Sequence, residues 1–388
     1  MITTPDSVEA VLHSRSIQRI DLMRQIAGNG LLFSDGDTWK RRRRIMQPAF
    51  PGRDPLHDQD GVDWALQGLM DRFEEAARQD EPIGLLSEML RFTTRTIYRV
   101  AFGIDLAPDH DVARILLRFF DAAGETVITV IDRQGMVDPK SLRELNAARE
   151  EIDIEVDRII AMRRNGETSG NDVLSDLLKS ADEHGDPDTE GLRDELRTLL
   201  LAGAETTSNV LTWLFLLLDA HPQTRSEIEN AIDRNHDQEA CNELTAAIRE
   251  TMRLYPPVWY IARRAVEETT ICKEDFNDGD WAIISTYMVQ RDPETWDDPH
   301  AFKPARFNPD VPLPHRYAWF PFGGGRHLCL GRNLGELEAT VAARAIMNRY
   351  QIRRAQDTPP TPRVGLVLKP EEDIPISVTH RNKQATTP

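Results

Sequence analysis

The chain is 388 residues long, with 47 Lys+Arg against 64 Asp+Glu, a formal charge of −17, and 40% hydrophobic residues. This is the balance of a globular protein with a sizeable core, and its acidity repels nucleic-acid phosphate and anionic lipid, which excludes nucleic acid as a partner. The longest strongly apolar stretch, Val210 to Leu218, is interrupted by Thr212 and falls far short of the ~20 residues that cross a bilayer, so no membrane is expected either.

Met1 to Asp6 lacks the basic flank and apolar run of a signal peptide, and the three cysteines are too scattered for a disulfide framework; the expected location is a reducing cytoplasm. Length alone suggests two or three domains. No internal repeat, low-complexity linker or composition break divides the chain, which favours one domain over 1–388 with a frayed tail at 381–388.

The first local feature is basic: Trp39-Lys40-Arg41-Arg42-Arg43-Arg44, readable as a solvated helix face or an anion patch. From about residue 60 to 255 the pattern is helical, as in Trp64, Leu66, Leu69, Met70, Phe73 and Ala76, and again in Leu192, Leu196, Leu199 and Leu200. A helix from Glu190 to Ala220 runs about 45 Å and crosses the whole domain. Its middle carries a polar interruption, Ala202-Gly203-Ala204-Glu205-Thr206-Thr207-Ser208. That segment is either a solvated stripe or a buried set of polar groups that needs partners, at about 1–3 kcal/mol for each one left unpaired. Strands are expected at Trp281–Met288, Val364–Leu368 and Ile374–Thr379, which makes the fold mainly α with small β-sheets.

The sharpest signal is Pro321-Phe322-Gly323-Gly324-Gly325-Arg326-His327-Leu328-Cys329-Leu330-Gly331, ahead of another helical pattern. Three successive glycines allow strained dihedrals and the close approach of something flat. Cys329 stands at a helix mouth, where N–H groups and the helix dipole favour a thiolate, a nucleophile or metal ligand; a buried structural cysteine is the plain alternative. Zinc fits poorly because Cys241 and Cys272 offer no paired spacing. A haem thiolate fits better, with one axial cysteine and Arg326 and His327 near the macrocycle's carboxylates.

The pattern Phe322-x-x-Gly325-x-His327-x-Cys329-x-Gly331 resembles the haem-binding loop of the cytochrome P-450 superfamily, and three further motifs in the family's order extend the resemblance from about Thr3 to Arg381. The resemblance implies haem b held by Cys329, with Phe322, Gly325, His327 and Gly331 in its loop. Ala202-Gly203-x-Glu205-Thr206 looks like the family's oxygen-activating segment: Gly203 would leave room for dioxygen, Thr206 would hydrogen-bond it, and Glu205 would relay protons. Trp39, Arg43, Arg263 and His327 match partners of the haem propionates. Glu250 and Arg253, at helical i, i+3 spacing, match with Arg306 a structural triad that braces the Cys329 segment. Leu199, Ala202, Val258, Trp259, Ile261, the 119–140 region and the 364–366 turn match substrate-pocket positions.

The implied activity is monooxygenation: dioxygen is activated to hydroxylate or epoxidise a small, largely apolar organic substrate, with electrons from a separate ferredoxin and its reductase. Lys40, Arg41, Arg42 and Arg44 would meet that acidic donor. A haem sensor without turnover and a non-hydroxylating oxidation are the alternatives. The chain departs from the family pattern at Gln290, where a His is usual, and at Gly335, where an Ala is usual. Trp39 also lies unusually near the start, so a reduced β-rich lobe is expected.

Overall fold

The computed structural model describes residues 1–388 except 21–23, 25–26, 51–54, 108, 133–137, 184–188, 235–236, 357 and 383–388. Short polar residues start the first helices. Thr4 accepts from the Ser7 N–H to cap α1 (Pro5–His13), and Asp35 accepts from Gly36 to cap α2 (Gly36–Met46). Then follow α3 (Pro55–Gln79) and α4 (Leu85–Phe102), which stops at Gly103 in the left-handed region, φ +60°. The next are α5 (Val112–Asp132), α6 (Pro139–Arg164, capped by Asp138) and α7 (Val173–Glu183). The long α8 (Thr189–Ala220), α9 (Pro222–Asp233) and α10 (Asp237–Leu254) complete this helical run.

Helix α8 is the axis of the core. Leu196, Leu200, Ala204, Leu211 and Leu214 on it are wholly buried, each worth about 1.5–3 kcal/mol where the side chain is large, and its most extensive neighbour is α4. Near its C-terminal end Trp213 stacks flat on Tyr255, ring centroids 3.8 Å apart. Among the described residues α8 is the only helix long and apolar enough to cross a membrane, and it is the buried core element. Helices α5 and α6 pack chiefly on each other.

The sheets are small. β1 (Ile17–Arg19), β3 (Ile261–Ala265) and β6 (Trp281–Ile284) form an antiparallel sheet in the order β1-β3-β6, in a register that puts Arg19 opposite Arg263. β4 (Thr269–Ile271) and β5 (Glu274–Phe276) make a hairpin. β2 (Ile83–Gly84), β10 (Pro375–His380) and β7 (Tyr350–Arg354) form a second three-stranded sheet, and β8 (Pro362–Val364) pairs with β9 (Leu368–Pro370). Val8, Val11, Ile17, Ala265, Ile284 and Tyr317 form a separate apolar cluster that joins α1 to the first sheet.

Three boundaries differ from expectation. The strand from Trp281 ends at Ile284, because the Ser285 hydroxyl accepts from Met288 N–H and starts the short α11 (Thr286–Val289). Val364–Leu368 is not one strand but the turn of the β8–β9 hairpin, with Gly365 pressed against Gly124 of α5. Order reaches Arg381, whose guanidinium contacts Met347 O, Glu229 and Asp233; residues 383–388 of the expected tail lie outside the described residues.

Glu250, Arg253 and Arg306 meet in one buried cluster. The Arg253 guanidinium grips Glu250 at 2.7 and 2.9 Å, both side chains are fully buried, and Arg306 Nε lies 3.4 Å from Glu250 Oε1. Lys303 N–H donates to the same carboxylate, while Arg253 also donates to the carbonyls of Gln290, Pro299 and Ala301. Gln290 itself donates to Met252 and Arg253 carbonyls and accepts from Phe320 N–H, so an amide serves where the family's His is usual. The end of α10 is thereby tied to the segment that leads into the Cys329 loop. Arg253→Leu strips the buried Glu250 of its two guanidinium hydrogen bonds and leaves it only Lys303 N–H and the longer contact to Arg306; a loss of about 3–5 kcal/mol is expected in denaturant unfolding, against less than 1 kcal/mol for the more exposed Arg316→Leu.

Candidate active site

Helix α12 (Arg332–Arg349) begins three residues after Cys329, and the preceding loop folds back so that Cys329 N–H donates to Phe322 O at 3.0 Å. Gly325 stands at φ +62°, and a Cβ there would lie 2.6 Å from the Leu12 carbonyl, so no other residue fits. Gly331 N–H donates to the thiol. Desolvation nevertheless pushes the Cys329 thiol up, against that N–H and the charges of Arg43 and Arg332. The helix mouth alone therefore does not yield a thiolate; a cation bound to the sulfur would.

Cys329 is open to a water-sized probe although protein surrounds it closely. The two facts agree if the sulfur lies on the wall of an internal hollow, where accessibility does not mean bulk solvent. Ala202 is accessible and Gly203 and Thr206 half-buried on α8, while Ala204, Glu205, Thr207 and Ser208 are buried. The two helices meet where a Cβ on Gly335 would come 3.3 Å from Thr207 Oγ1, next to Thr206 and shortly beyond Cys329. The Cys329 loop and the Ala202–Thr206 strip are thus brought to one region, the candidate hollow that would take a ligand.

A further side is cationic. The β1–β3 register sets Arg19 beside Arg263, and Arg326, His327 and Arg43 approach from the Cys loop and α2. Burial, followed by the charge of Arg263, lowers Arg19 to about 9; burial, then mainly Arg326, lowers Arg263 to about 10. Burial, joined by Arg19 and Arg263, takes His327 down to about 4, and its Nδ1 is buried without a partner. Asp35 is the carboxylate facing this group: burial opposes its charge, but hydrogen bonds from His327, Gly36 and Arg19 hold it well below the usual range. Arg326 and His327 lie 3.4 and 3.5 Å from it. A set of guanidinium groups answered by one carboxylate fits a ligand with further carboxylates, as haem has in its propionates.

Other expected roles need revision. Trp39 packs edge-on against His327 at 4.5 Å, but Arg43 donates to Leu328 O at 2.9 Å and so braces the Cys loop rather than joining Arg263. The space a Cβ would need at Gly203 is occupied by Ile97 Cδ1, 2.9 Å away, so this glycine serves the packing of α4 on α8. Phe322 packs against Trp319 and under Arg332, and a Cβ on Gly331 would meet nothing within 4 Å, so Gly331 matters for its N–H. Leu199 is part of the core and Ile261 packs toward the β-sheet cluster, while Val258 is 39% accessible and Trp259 Nε1 donates to Gly365 O.

Most of the polar interruption on α8 satisfies itself: Thr206 donates to Ala202 O, Ser208 and Asn209 to Glu205 O, and Thr212 to Ser208 O. Glu205 is the exception. It is fully buried, its carboxyl oxygens accept no hydrogen bond, and Lys369 Nζ stands 3.6 Å away, an ionic contact rather than a hydrogen bond. Burial, only partly opposed by Lys369, pushes it up to about 8. Its side chain turns to Lys369 while Thr206 faces the hollow, so the two do not stand side by side there. Sequence reasoning missed Arg19, whose only signal was a charge inside a short strand, and Glu338, an acid in the apolar stripe of α12. Burial pushes Glu338 up to about 8 against hydroxyls of Thr207 and Thr96.

This fold and site define a haem-thiolate monooxygenase, and the chain belongs to the cytochrome P-450 family, whose model matches residues 1–377. It carries haem b, which the cysteine loop and the arginine group fit. Among its relatives, cyclooctatin synthase of Streptomyces melanosporofaciens is 31% identical over 90% of this chain and 79% of its own. Pentalenene oxygenase of Streptomyces avermitilis is 30% identical over 86% and 76%. A six-coordinate cytochrome P-450 from Thermus thermophilus superposes with a TM-score of 0.75 at 25% identity, over 97% of this chain and 91% of that one.

Arg19, whose Nη1 donates to Leu31 O and Ser34 O, would add charge-assisted contacts worth about 1.5–3 kcal/mol to a carboxylate ligand. Arg19→Met should therefore lose haem to a competing acceptor protein roughly ten- to a hundredfold faster than the parent, as followed by absorbance; an unchanged rate would remove Arg19 from the binding group.

Proposed function

We propose that this chain oxygenates a moderately bulky, apolar, terpenoid-like substrate, by hydroxylation or epoxidation, with electrons from a separate acidic ferredoxin and its reductase. The observation that carries the reading is the accessible Cys329 in its glycine loop, with α12 close against the Thr206–Thr207 turn of α8 and the Arg19–Arg263 group approached by Arg326 and His327 of the same loop. The names of two relatives, cyclooctatin synthase and pentalenene oxygenase, support the substrate class. One large apolar cluster that includes residues from Ala27 to Val378 supports a single domain, and an acidic chain served by such donors fits the cytoplasm.

Cys329 is the residue that would hold the iron, and Arg19, Arg263, Arg326 and His327 would hold the propionates. Bound haem supplies dioxygen activation and the transfer of one oxygen atom to substrate. The protein's share is positioning and proton control. Thr206 Oγ1, which donates to Ala202 O, faces the hollow and can turn its proton inward. Glu205, raised to about 8, is protonated at neutral pH and stores the next proton one residue behind it. Val258 and Trp259 form the substrate side beside the β8–β9 turn, whereas Leu199 acts through the packing of α8.

On α2, Lys40, Arg41 and Arg44 are exposed while Arg43 touches the carbonyl next to Cys329, so the helix joins a cationic surface to the metal-bearing loop. Arg42 faces inward, 2.8 Å from Glu195, and is not part of that surface.

Two results would test the reading. Thr206→Ala should keep electron consumption while product per reducing equivalent falls several-fold, and unchanged coupling would contradict the role of Thr206. The rate of reduction by an acidic ferredoxin should fall as salt rises and fall further in Arg41→Glu; salt-independent reduction would place the donor elsewhere.

A further inference from the structure

Glu205 does not face the hollow, and its one charged neighbour is shared. Lys369 on β9 is 8% accessible; its Nζ lies 2.7 Å from Asp121 Oδ1 on α5 and 3.6 Å from Glu205 Oε1 on α8. Asp121 also receives Arg363 of β8 at 3.3 Å, and Arg363 reaches Glu125 of α5 at 2.6 Å. Beside these ions α5 and the hairpin touch backbone to backbone: a Cβ on Gly124 would lie 3.1 Å from Gly365 Cα. Trp259 holds the same turn through Gly365 O. Helix α5 otherwise packs mainly on α6, so this ion-and-glycine contact is the seat of the α5–α6 pair on the β8–β9 hairpin.

We propose that Lys369 is a positioning residue that divides its charge between Asp121 and Glu205, so that seating α5 on the hairpin loads Glu205 with the proton that Thr206 passes on. This rests on the proton role proposed for Glu205. With α5 seated, Asp121 holds the ammonium at hydrogen-bond distance and leaves Glu205 a longer contact. When α5 lifts, Asp121 departs, water reaches the site and the whole charge of Lys369 falls to Glu205, which ionises.

The charges acting on Glu205 are Lys369 from β9 and Asp121 from α5, with Arg363 and Glu125 one step further out; α4 brings only the Thr93 hydroxyl to this turn, bonded to Ala204 O. Burial and Asp121 both raise Glu205 in the seated state and weaken as α5 lifts. Seating therefore takes up a proton: it is favoured at low pH and weakens as pH rises through about 8. A substrate that draws α5 down would charge the relay as it binds.

The test is infrared titration of the buried protonated carboxyl band in the haem-loaded protein, assigned as the part lost in Glu205→Gln so that Glu338 and Glu195 do not interfere. Hydrogen exchange of residues 112–132 is followed in parallel. Asp121→Asn should move the Glu205 titration down, and Lys369→Gln up, each by about one pH unit, a tenfold change in proton affinity. Protection of 112–132, taken relative to the intrinsic amide rate at each pH, should fall as pH rises from 6 to 9 in the parent, and stay constant in Glu205→Gln. Titrations in both variants that match the parent, or protection of 112–132 that still falls with pH in Glu205→Gln, would overturn the proposal. Neither readout needs turnover, so a protein that oxygenates nothing would refute the proposed function separately.

Discussion

A cluster of positive charge that the polypeptide does not neutralise is the constraint on which the site depends. Arg19 from β1, Arg263 from β3 and Arg326 from the cysteine loop gather around Asp35, where Arg263 and Arg326 add to the cost of Arg19 and Arg326 to that of Arg263, with His327, lowered to about 4, uncharged among them. Like charges so gathered disfavour the compact state unless an anion joins them. The β1–β3 register, the capping of α2 by Asp35 and the strained glycines of the loop all serve that meeting point. The buried Glu250–Arg253 pair then fixes the segment that delivers the loop, so binding the ligand and folding the loop are parts of one energetic problem.

The central helix shows the complementary economy. It crosses the core with nearly every polar side chain turned back on its own carbonyls, which removes the burial penalty of Ser208, Asn209 and Thr212 without help from other elements. Of its carboxyls, Glu205 is the one with neither oxygen in a hydrogen bond, and burial pushes it toward the neutral form. A buried acid that burial keeps protonated can hold a proton, whereas one in a tight ion pair would not. Lys369 at 3.6 Å is near enough to influence that acid and too far to capture it.

Much of this was legible in the chain because it rests on local rules. The period of Leu192, Leu196, Leu199 and Leu200 gave α8 to within one residue at its start, and the glycine run around Cys329 announced a loop with positive φ. The i, i+3 spacing of Glu250 and Arg253 placed both on one face, where they pair. What stayed hidden depends on elements distant in sequence. Arg19 becomes part of the site only through its register with Arg263, and Glu205 turns from the hollow because a lysine 164 residues later stands behind it. Gly203 looked like space for a ligand and is space for Ile97. The ends of strands were misread where a single hydroxyl, Ser285, could start a helix instead.

The account turns on one bond, that between the Cys329 sulfur and the haem iron, and the spectrum of the reduced, carbon-monoxide-bound protein reports it directly. A Soret band far to the red of that given by histidine-ligated haem, present in the parent and absent in Cys329→Ala, is the predicted result. A parent band at the histidine-ligated position, or a red-shifted band that survives Cys329→Ala, would contradict it.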